Sequence, residues 1–598
     1  MARSVPEGAG RDAVLTIMAT SDLHCEVSGW NYLADRPLSR GGLHRLAPVI
    51  AALRAAEPNT LLLDNGDLLQ GTLLADRSAE RLLTAPDAPH PAVAALDRLG
   101  VDAAGLGNHD FDYGLEVLAR ANAGRRHPVI CTNAHLPDGR PLLPVDLVLE
   151  RRLLCADGRR RRLRIGLIGL VPPQTAHWNH HHLADRLVFS DMIEAARARL
   201  PALRARADIV IALAHTGLAE TEAVPGMENA GHPLARLEGI DALVLGHSHL
   251  PHAHAGLPGL HPAVLPGPAG LQLGVLRLGL RKGHEGWQVT GSIAELREGG
   301  LAMPPPAGPD HEAAAALSRR VVAQLACPIS THFALLEDSD AVRLIAQAAR
   351  SHVARALAGG PHAQLPLLSA AAPFRTGGRG GHDHFTQIPA GPLRYGQLAD
   401  LYPFRNRLAA LHVTGRELRG WLERAATVYR RIQPGGHDQR LIDPEIPPWT
   451  FDSILGLSYV IDPSRPVDDR ITALSFEGRP VAEDDAFIVA TNSYRATGGP
   501  TAPSPGRIVH VSDAPARDLL AVELDRAGRL DPRQPPSWRL APLADTFVLY
   551  DTAPAAAGDP ATLERLGAEI AGTSREGFLT LRVPLHGPIS HARHLRKG

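Results

Sequence analysis

The chain is 598 residues long, which is far beyond the size of one typical core and predicts two domains. Its 44% hydrophobic and 21% charged residues are ordinary for a globular protein. A formal net charge of −1 provides no general basic surface, so a groove for nucleic-acid polymers is not expected. No apolar segment is long enough to span a membrane.

The first half of the chain predicts a layered α/β sandwich. Strand-like segments alternate with helical ones, and residues 43–55 and 191–206 are clear helical examples. This alternation is typical of sheets covered by helices. We assign the first domain to residues 13–300, after a polar N-terminal tail of residues 1–12.

A break rich in glycine and proline separates this domain from a second one. We expect a linker at residues 301–332, with a connector helix at residues 310–326. A second α/β domain follows at residues 333–551. It begins with a long amphipathic helix at residues 341–357, for which Asp338-Ser339-Asp340 is the expected cap.

The end of the chain is predicted to be a separate C-terminal extension, residues 552–598. It contains a helix-like segment at residues 560–571 and a strand-like segment at residues 578–583. A basic end follows, which we expect to be loosely held.

Five short segments of the first domain end in side chains that bind metals. Each follows an apolar, strand-like run, and the ends of such strands meet at one edge of a sheet. The segments are Ser21-Asp22-Leu23-His24, Asp64-Asn65-Gly66-Asp67, Gly107-Asn108-His109-Asp110, Ala214-His215-Thr216-Gly217 and Gly246-His247-Ser248-His249. One Asp-x-His would be a weak signal, but the whole set points to a two-metal centre.

The side chains of these segments divide into two candidate ligand sets. Asp67 is the expected bridge, because a carboxylate has two oxygens that can reach two cations. The expected sets are Asp22, His24, Asp67 and His249 for one ion, and Asp67, Asn108, His215 and His247 for the other. Imidazole and oxygen ligands without thiolate favour Zn, Mn, Fe(II) or Co, and the sequence does not distinguish among them.

Most other histidines are not expected to be ligands. The chain contains 30 of them, and a single histidine is more often a surface or core residue. For the five segments together this explanation fails, because chance would have to place metal-binding residue types at the end of every strand. We interpret His177, residues 180–182, His252 and His254 as loop residues.

These segments resemble the signature of the calcineurin-like metallophosphoesterases. Longer motifs in both halves resemble the 2′,3′-cyclic-nucleotide 2′-phosphodiesterase/3′-nucleotidase branch of the 5′-nucleotidase family, over about residues 15–551. The motifs are Asn65-Gly66-Asp67-Leu68-Leu69-Gln70-Gly71, Gly107-Asn108-His109-Asp110-Phe111-Asp112-Tyr113-Gly114, Val171-Pro172-Pro173-Gln174, Ala372-Pro373-Phe374-Arg375-Thr376-Gly377-Gly378-Arg379-Gly380-Gly381 and Ala490-Thr491-Asn492-Ser493-Tyr494-Arg495-Ala496-Thr497-Gly498-Gly499.

The resemblance implies an α/β/β/α metallophosphoesterase domain with two divalent metal ions, followed by an α/β substrate-binding domain. It implies hydrolysis of nucleoside 2′,3′-cyclic phosphates to 3′-nucleotides, and of 3′-nucleotides to nucleoside and phosphate. His109 would stabilise the developing charge or protonate the leaving ribose oxygen, with Asp112 orienting it.

The resemblance also implies how the second domain holds its substrate. Phe404 and Tyr494 would stack on either side of the base, which tolerates any base because each has a π face. Arg375 and Arg379 stand among glycines, where a guanidinium can approach a phosphate or ribose. Asn406 could contact the base edge.

Three other functions remain open. A 5′-nucleotidase or nucleotide-sugar hydrolase of the same family needs the same metals and would hold the ribose in another orientation. A thiosulfate-releasing hydrolase shares the scaffold but needs no base sandwich. A non-catalytic nucleotide-binding protein is disfavoured, because every expected ligand and His109 are present.

Location and partners are predicted only in outline. Residues 1–12 lack the apolar segment of a signal peptide, so a cytoplasmic location is expected as the sequence stands. The periplasm, where the resembling family is usually exported, is the alternative. The expected partner is a small-molecule nucleotide, neither a nucleic-acid polymer nor a membrane, and the oligomeric state is not predicted.

Overall fold

A computed structural model describes residues 12–85, 88–219, 222–256, 259–284, 286–300, 308–497 and 507–585. The predicted tail up to residue 11, the basic end from residue 586, and Gly498 and Gly499 lie outside these residues. The chain divides into two compact units, with the boundary between Leu317 and Ser318. The finer division into tail, linker and extension stays a prediction. Within the described parts of the chain, no helix combines the length and apolar character needed to cross a bilayer.

Two central sheets form the first unit. The first has the strand order Gly286–Glu298, Gln272–Gly283, Ala13–Thr20, Thr60–Asp64 and Ala103–Ala104. The second has the order His252–His254, Ala263–Leu265, Ala242–Val244, Ile209–Ala214, Arg160–Leu170 and Asp146–Leu154. The strands before Asp22, Asp67 and Asn108 are parallel neighbours in the first sheet. Those before His215 and His247 are parallel neighbours in the second.

The two sheets pack face to face. Alternate strand residues such as Ile17 and Leu63 of the first sheet and Ile211 of the second share one buried core. Burial of each of these side chains stabilises the folded state by roughly 1.5–3 kcal/mol. Residues on the opposite faces, such as Met18 and Val210, are also buried because helices cover the outside. The predicted α/β/β/α sandwich is therefore confirmed.

Helices flank these sheets. Asp191 caps one of them, because its carboxylate accepts hydrogen bonds from the N–H groups of Ile193 and Glu194 at 2.8 and 2.9 Å. The helices are Leu43–Ala56, Leu73–Thr84, Pro91–Leu99, Gly114–Ala123, Thr175–Trp178, His180–Leu183, Met192–Arg204, Gly231–Ala235 and Pro309–Arg319. The prediction that six of the histidines lie in loops was wrong. His177 lies in the short helix Thr175–Trp178, residues 180–182 lie in the helix His180–Leu183, and His252 and His254 lie in an edge strand.

The second unit is built on a five-stranded sheet. Its strand order is Ser453–Leu455, Leu367–Ala371, Ala486–Asn492, Arg407–Thr414 and Ile508–Pro515. The helices of this unit are Asp340–Ala356, Tyr395–Leu401, Gly415–Ala425, Ser493–Ala496, Ala516–Ala527 and Pro560–Leu566. One smaller sheet contains Gly391–Arg394, Val321–Leu325 and Arg529–Leu530. Another contains Arg479–Pro480, Ile471–Phe476, Ser458–Ile461 and Trp538–Leu540. A further one contains Gln439–Arg440, Phe547–Thr552, Leu579–Pro584 and Glu569–Thr573.

The predicted connector helix at residues 310–326 is shorter than expected. It ends at Arg319, and Val321–Leu325 forms a strand, consistent with the strand preference of its β-branched valines. The predicted cap of the next helix also differs. Ser339 is the capping residue by position, but its hydroxyl donates to the carbonyl of Ser330 instead of capping the helix.

The C-terminal helix predicted at residues 560–571 ends at Leu566. Gly567 adopts a left-handed conformation with φ of 62°, which stops a helix at low energetic cost. Glu569–Thr573 then pairs with Leu579–Pro584 as a hairpin of the sheet that contains Phe547–Thr552.

A buried ion pair supports the core of the second unit. Asp452 is 3% exposed and Arg495 is 1% exposed. The guanidinium donates to the two carboxylate oxygens at 2.8 and 3.2 Å, and the Trp421 indole N–H donates to the same carboxylate at 2.8 Å. Removal of the arginine would leave a buried carboxylate without its countercharge.

We expect Arg495→Ala to lower the free energy of unfolding by about 3–5 kcal/mol, measured by urea denaturation. The matched control is Arg416→Ala, whose ion pair with Glu483 is largely exposed and should contribute little. Similar losses for the two variants would contradict this account.

Candidate functional site

The predicted ligand segments of the first unit meet at one edge of its two sheets. The Nε2 atom of His215 lies 3.1 Å from Asp67 Oδ2 and 3.6 Å from Asp22 Oδ1. His249 Nε2 lies 3.3 Å from Asp22 Oδ1. The ligand atoms of Asp22, His24 and His249 all lie within 4.8 Å of one another, and so do those of Asp22, Asp67 and His215. Asp22 therefore belongs to both groups, whereas the sequence assigned it to one.

Asn108 and His247 adjoin these two groups. Asn108 Oδ1 lies 2.9 Å from His247 Nδ1. The backbone N–H of His247 donates to the carboxylate oxygens of Asp22 at 2.9 and 3.2 Å. All seven predicted metal residues thus belong to one connected cluster, and Asp22 is 0% exposed and Asp67 1% exposed within it.

The backbone at this cluster is strained. Left-handed conformations are rare outside glycine and cost about 1–2 kcal/mol per residue. Five candidate ligands adopt them, with φ of 52° at Asp22, 49° at His24, 52° at Asp67, 69° at His247 and 56° at His249. Such strain concentrates at functional sites, where the surrounding structure holds it in place.

Hydrogen bonds fix which nitrogen of each histidine faces the cluster. His215 Nδ1 donates to the carbonyl of Asn65 at 2.8 Å, and His24 Nδ1 donates to the carbonyl of Gln70 at 3.0 Å. Their Nε2 atoms therefore point inward as lone-pair donors in the neutral form.

His247 has the opposite orientation. Its Nε2 donates to the carboxylate of Glu228 at 2.8 Å, so Nδ1 faces the cluster. The ring of Trp178 stacks on the imidazole, with centroids 5.4 Å apart and planes at 21°. Neither partner was predicted from the sequence, and Glu228 lies in an irregular segment with no local signal.

Asp110 joins two of the ligand segments, a role that was not predicted from the sequence. Its buried carboxylate accepts four backbone N–H groups at 2.9–3.0 Å, from Asp67, Leu68, Leu69 and Gly107. A local signal existed, because an acidic residue three positions after the residue that starts a helical turn is a capping pattern. The contacts to residues 67–69 have no local signal.

The cluster fits divalent transition metals. His24 Nε2 and His249 Nε2 face each other at 3.0 Å. The buried His215 Nε2 lies near Asp67 Oδ2 but is not aligned for a hydrogen bond to any described residue. Opposed imidazole nitrogens beside buried carboxylates repel one another unless a proton or a cation lies between them. Nitrogen and oxygen donors without thiolate are the ligands that Zn, Mn, Fe(II) and Co share.

The close approach of these groups shifts their pKa values. Burial is the largest single effect and would raise the pKa of Asp22 and Asp67, but His215 and the other neighbouring imidazoles together outweigh it and hold both pKa values well below the usual range. Burial dominates at His24 and lowers its pKa to about 4. Ionised carboxylates and a neutral imidazole are the forms that bind metals.

His109 and Asp112 lie beside the cluster. His109 Nδ1 donates to Asp112 Oδ2 at 2.8 Å, and the backbone N–H of His109 donates to Asp67 Oδ1 at 2.7 Å. The ring lies 5.3 Å from that of His24. Burial would lower the pKa of His109, but the charges of Asp112 and Asp67 outweigh it and raise it to about 10.

The predicted substrate residues of the second unit lie in the connections at one edge of its largest sheet. Leu367–Ala371 runs parallel to Ala486–Asn492, so the loops that follow these strands leave the same edge. Arg407–Thr414 is antiparallel to Ala486–Asn492, so the loop that precedes it reaches this edge too, where Arg407 N–H donates to Ser493 Oγ at 3.1 Å. These connections carry Arg375, Arg379, Phe404, Asn406 and Tyr494, of which Tyr494 lies in the short helix Ser493–Ala496.

The two predicted stacking rings have aromatic neighbours. Phe404 is 38% exposed, and its ring centroid lies 5.2 Å from that of Phe374. Tyr494 is partly buried, with Trp449 at 6.3 Å and the Arg495 guanidinium 5.5 Å above its ring. Trp449 is an aromatic neighbour that was not predicted from the sequence. The base sandwich itself stays a prediction.

The two predicted arginines differ in their surroundings. Arg375 Nε lies 3.0 Å from Asp400 Oδ1, so its charge is compensated within the unit. Arg379 is exposed and donates to the neutral carbonyl of Glu445 at 3.4 Å. Asn406 is partly exposed. Arg379 is therefore the better placed of the two arginines to attract an anion.

Two family models match the chain. The calcineurin-like phosphoesterase model matches residues 15–251, and the model of the 5′-nucleotidase C-terminal domain matches residues 322–504. The first match covers all the candidate metal ligands, and the second covers all the candidate substrate residues.

The chain is also similar to curated proteins over most of its length. It is 34% identical to the 2′,3′-cyclic-nucleotide 2′-phosphodiesterase/3′-nucleotidase of Salmonella typhimurium, over 90% of this chain and 91% of that protein. It is 31% identical to the trifunctional nucleotide phosphoesterase protein YfkN of Bacillus subtilis, over 91% of this chain but 40% of that protein. The chain thus spans less than half the length of that relative.

A solved structure shows the same fold. A putative 5′-nucleotidase from Staphylococcus aureus, in complex with alpha-ketoglutarate, aligns with a TM-score of 0.72 over 88% of this chain and 100% of that chain. The sequence identity is 20%, so this likeness concerns the fold alone.

Glu228→Gln should weaken metal binding about 10–100-fold, because the variant loses the carboxylate that orients His247. The measurement is calorimetric titration of the metal-free protein with Mn or Zn. Glu222→Gln, at an exposed position of the same segment, is the matched control and should bind like the original protein. Unchanged affinity in Glu228→Gln would exclude this orienting role.

Proposed function

Because the chain belongs to the family of the 2′,3′-cyclic-nucleotide 2′-phosphodiesterase/3′-nucleotidases, we propose that it hydrolyses phosphate esters of ribonucleosides. Nucleoside 2′,3′-cyclic phosphates are opened to 3′-nucleotides, and 3′-nucleotides are then hydrolysed to nucleoside and phosphate. The observation that carries this proposal is the buried cluster of nitrogen and oxygen ligands with the His109–Asp112 pair beside it.

The proposed cofactors are two divalent metal ions. Asp22, His24, Asp67 and His249 would hold one ion, and Asp67, Asn108, His215 and His247 the other. When bound, such ions neutralise phosphate charge and lower the pKa of water enough for attack near neutral pH. The close approach of Asp22, Asp67 and His215 supports a shared site, because their ligand atoms can serve adjacent ions.

His109 is the proposed proton donor to the leaving group. Hydrolysis forms a bond between phosphorus and the water oxygen and breaks the bond between phosphorus and the ribose oxygen. The ribose oxygen gains a proton as it leaves, and His109 Nε2 can supply it because Nδ1 is already bonded to Asp112. Asp112 thus orients the ring and favours its protonated form.

The second unit supplies the proposed grip on the nucleotide. Phe404 and Tyr494 would stack on the base, and each stacked ring contributes about 1–3 kcal/mol. Asn406 would contact the base edge. Arg375 and Arg379 would approach the phosphate or ribose, and the exposed guanidinium of Arg379 supports this role most directly.

A 5′-nucleotidase is the second candidate, because the model of the 5′-nucleotidase C-terminal domain matches residues 322–504. The metal cluster serves both reactions equally, since each is hydrolysis of a phosphate ester. The two differ in which ribose hydroxyl carries the phosphate, and a substrate comparison separates them.

The test is a panel of 2′,3′-cyclic, 3′- and 5′-nucleotides assayed with added Mn, Co or Zn. We expect the cyclic and 3′ substrates to be hydrolysed with the higher kcat/KM, and chelation of the metal to abolish activity on both. A clear preference for 5′ esters would replace this proposal with the 5′-nucleotidase.

His109→Ala should lower kcat for 3′-nucleotides by about 10²–10⁴-fold, because the ribose oxygen then leaves without its proton donor. Hydrolysis of p-nitrophenyl phosphate should fall far less, since p-nitrophenolate leaves without protonation. The exposed His177→Ala is the control and should retain both activities. Equal losses on the two substrates would show that His109 does not act on the leaving group.

A further inference from the structure

The C-terminal hairpin of the second unit packs against the glycine-rich loop that carries Arg379. We define the glycine-rich loop as residues 376–385 and the hairpin tip as residues 574–578. A backbone bridge between Thr376 and Phe385 closes the loop at its base. The hairpin tip joins the strands Glu569–Thr573 and Leu579–Pro584, and it follows the part of the chain that the family models match.

Side-chain contacts join the tip to the loop. A Cβ atom at Gly377 would lie 2.7 Å from Cε1 of Phe578 and 2.8 Å from Cζ of Phe385, so these rings occupy the space that any other side chain would need. His382 Nδ1 donates to the carbonyl of Glu576 at 2.8 Å. The tip therefore contacts both the beginning and the middle of the loop.

The tip is itself an ordered turn. The N–H of Ser574 donates to the carbonyl of Phe578 at 2.8 Å, and the N–H of Gly577 donates to the carbonyl of Ser574 at 3.1 Å. Ser574 Oγ accepts the N–H groups of Glu576 and Phe578 at 3.2 and 3.3 Å. The ring of Phe578 is thus presented to the loop from a fixed backbone.

The opposite side of the loop rests on another segment. A Cβ atom at Gly378 would lie 2.9 Å from Cδ of Pro448. Arg379 Nη2 donates to the carbonyl of Glu445. The loop is therefore held between the hairpin tip and residues 445–448.

This double contact matters because residues 377–381 are glycine except for Arg379. Glycine loses more conformational entropy on ordering than any other residue, so a free loop of this composition would bind a ligand weakly. A loop that is already fixed in the free protein avoids this loss on binding.

We propose that the hairpin tip is a positioning element for nucleotide binding, in which Phe578 and the carbonyl of Glu576 hold the glycine-rich loop so that Arg379 faces the anionic part of the nucleotide. This inference rests on the proposed function, because the loop is assigned to substrate binding there. Phe578 acts through the loop and does not itself need to touch the substrate.

The test compares Phe578→Ala, Phe578→Leu and His382→Ala with Ile570→Ala. Ile570 is 55% exposed on the same hairpin, so its variant is the matched control. His382→Ala removes the hydrogen bond to Glu576, the edge contact with the Phe578 ring and the ion pair with the exposed Asp383. The side chain is partly exposed, so folding should be little affected. The measured quantities are KM and kcat for a 2′,3′-cyclic nucleotide and for p-nitrophenyl phosphate, metal content, and the Kd of a nucleoside 3′-monophosphate in EDTA.

We expect Phe578→Ala and His382→Ala to raise the nucleotide KM and Kd about ten-fold, with kcat, metal content and p-nitrophenyl phosphate hydrolysis unchanged. Phe578→Leu should recover most of the affinity, and Ile570→Ala should match the original protein. Unchanged nucleotide Kd in both test variants, or parallel losses on the two substrates, would overturn the inference. If the original protein hydrolyses no nucleotide, the proposed function fails, and the Kd values still decide the role of the tip.

Discussion

The first unit depends on the compensation of two buried carboxylates, Asp22 and Asp67. A buried charge without partners destabilises a fold strongly, so these side chains require positive or hydrogen-bond-donating groups within a few ångströms. Imidazoles and the backbone N–H groups of His109 and His247 supply them. The loops must approach closely to do so, and the left-handed backbone at five of the candidate ligands accompanies that approach.

The second unit places its candidate groups differently. Its loops also leave one edge of a sheet, but the side chains that they carry are partly or largely exposed. The buried ion pair of Asp452 and Arg495 lies directly behind Tyr494, so a stable core supports the loop that would contact the substrate. The first unit thus gathers its candidate groups in a buried cluster, whereas the second carries its candidate groups near the surface, on connections that a fixed scaffold supports.

Local patterns predicted much of this arrangement. Apolar runs followed by ligand residues predicted the strands before Asp22 and His215, because the pattern of a buried strand is local and its end sets where the next side chains emerge. The prediction of the connector helix was wrong after Arg319, and the prediction of the last helix was wrong after Leu566. In both places short apolar segments fit a helix and a strand equally well, and only pairing with a distant strand decided between them.

The sequence by itself determined the types of most elements and which residues could bind metal, because both depend on neighbours along the chain. Only the tertiary structure decided which nitrogen of His247 faces the cluster, that Glu228 fixes it, and that Asp400 compensates Arg375. It also decided that the hairpin tip bearing Phe578 rests on Gly377. These contacts join residues far apart in sequence, and their geometry is set by how the sheets and loops pack, which no local pattern encodes.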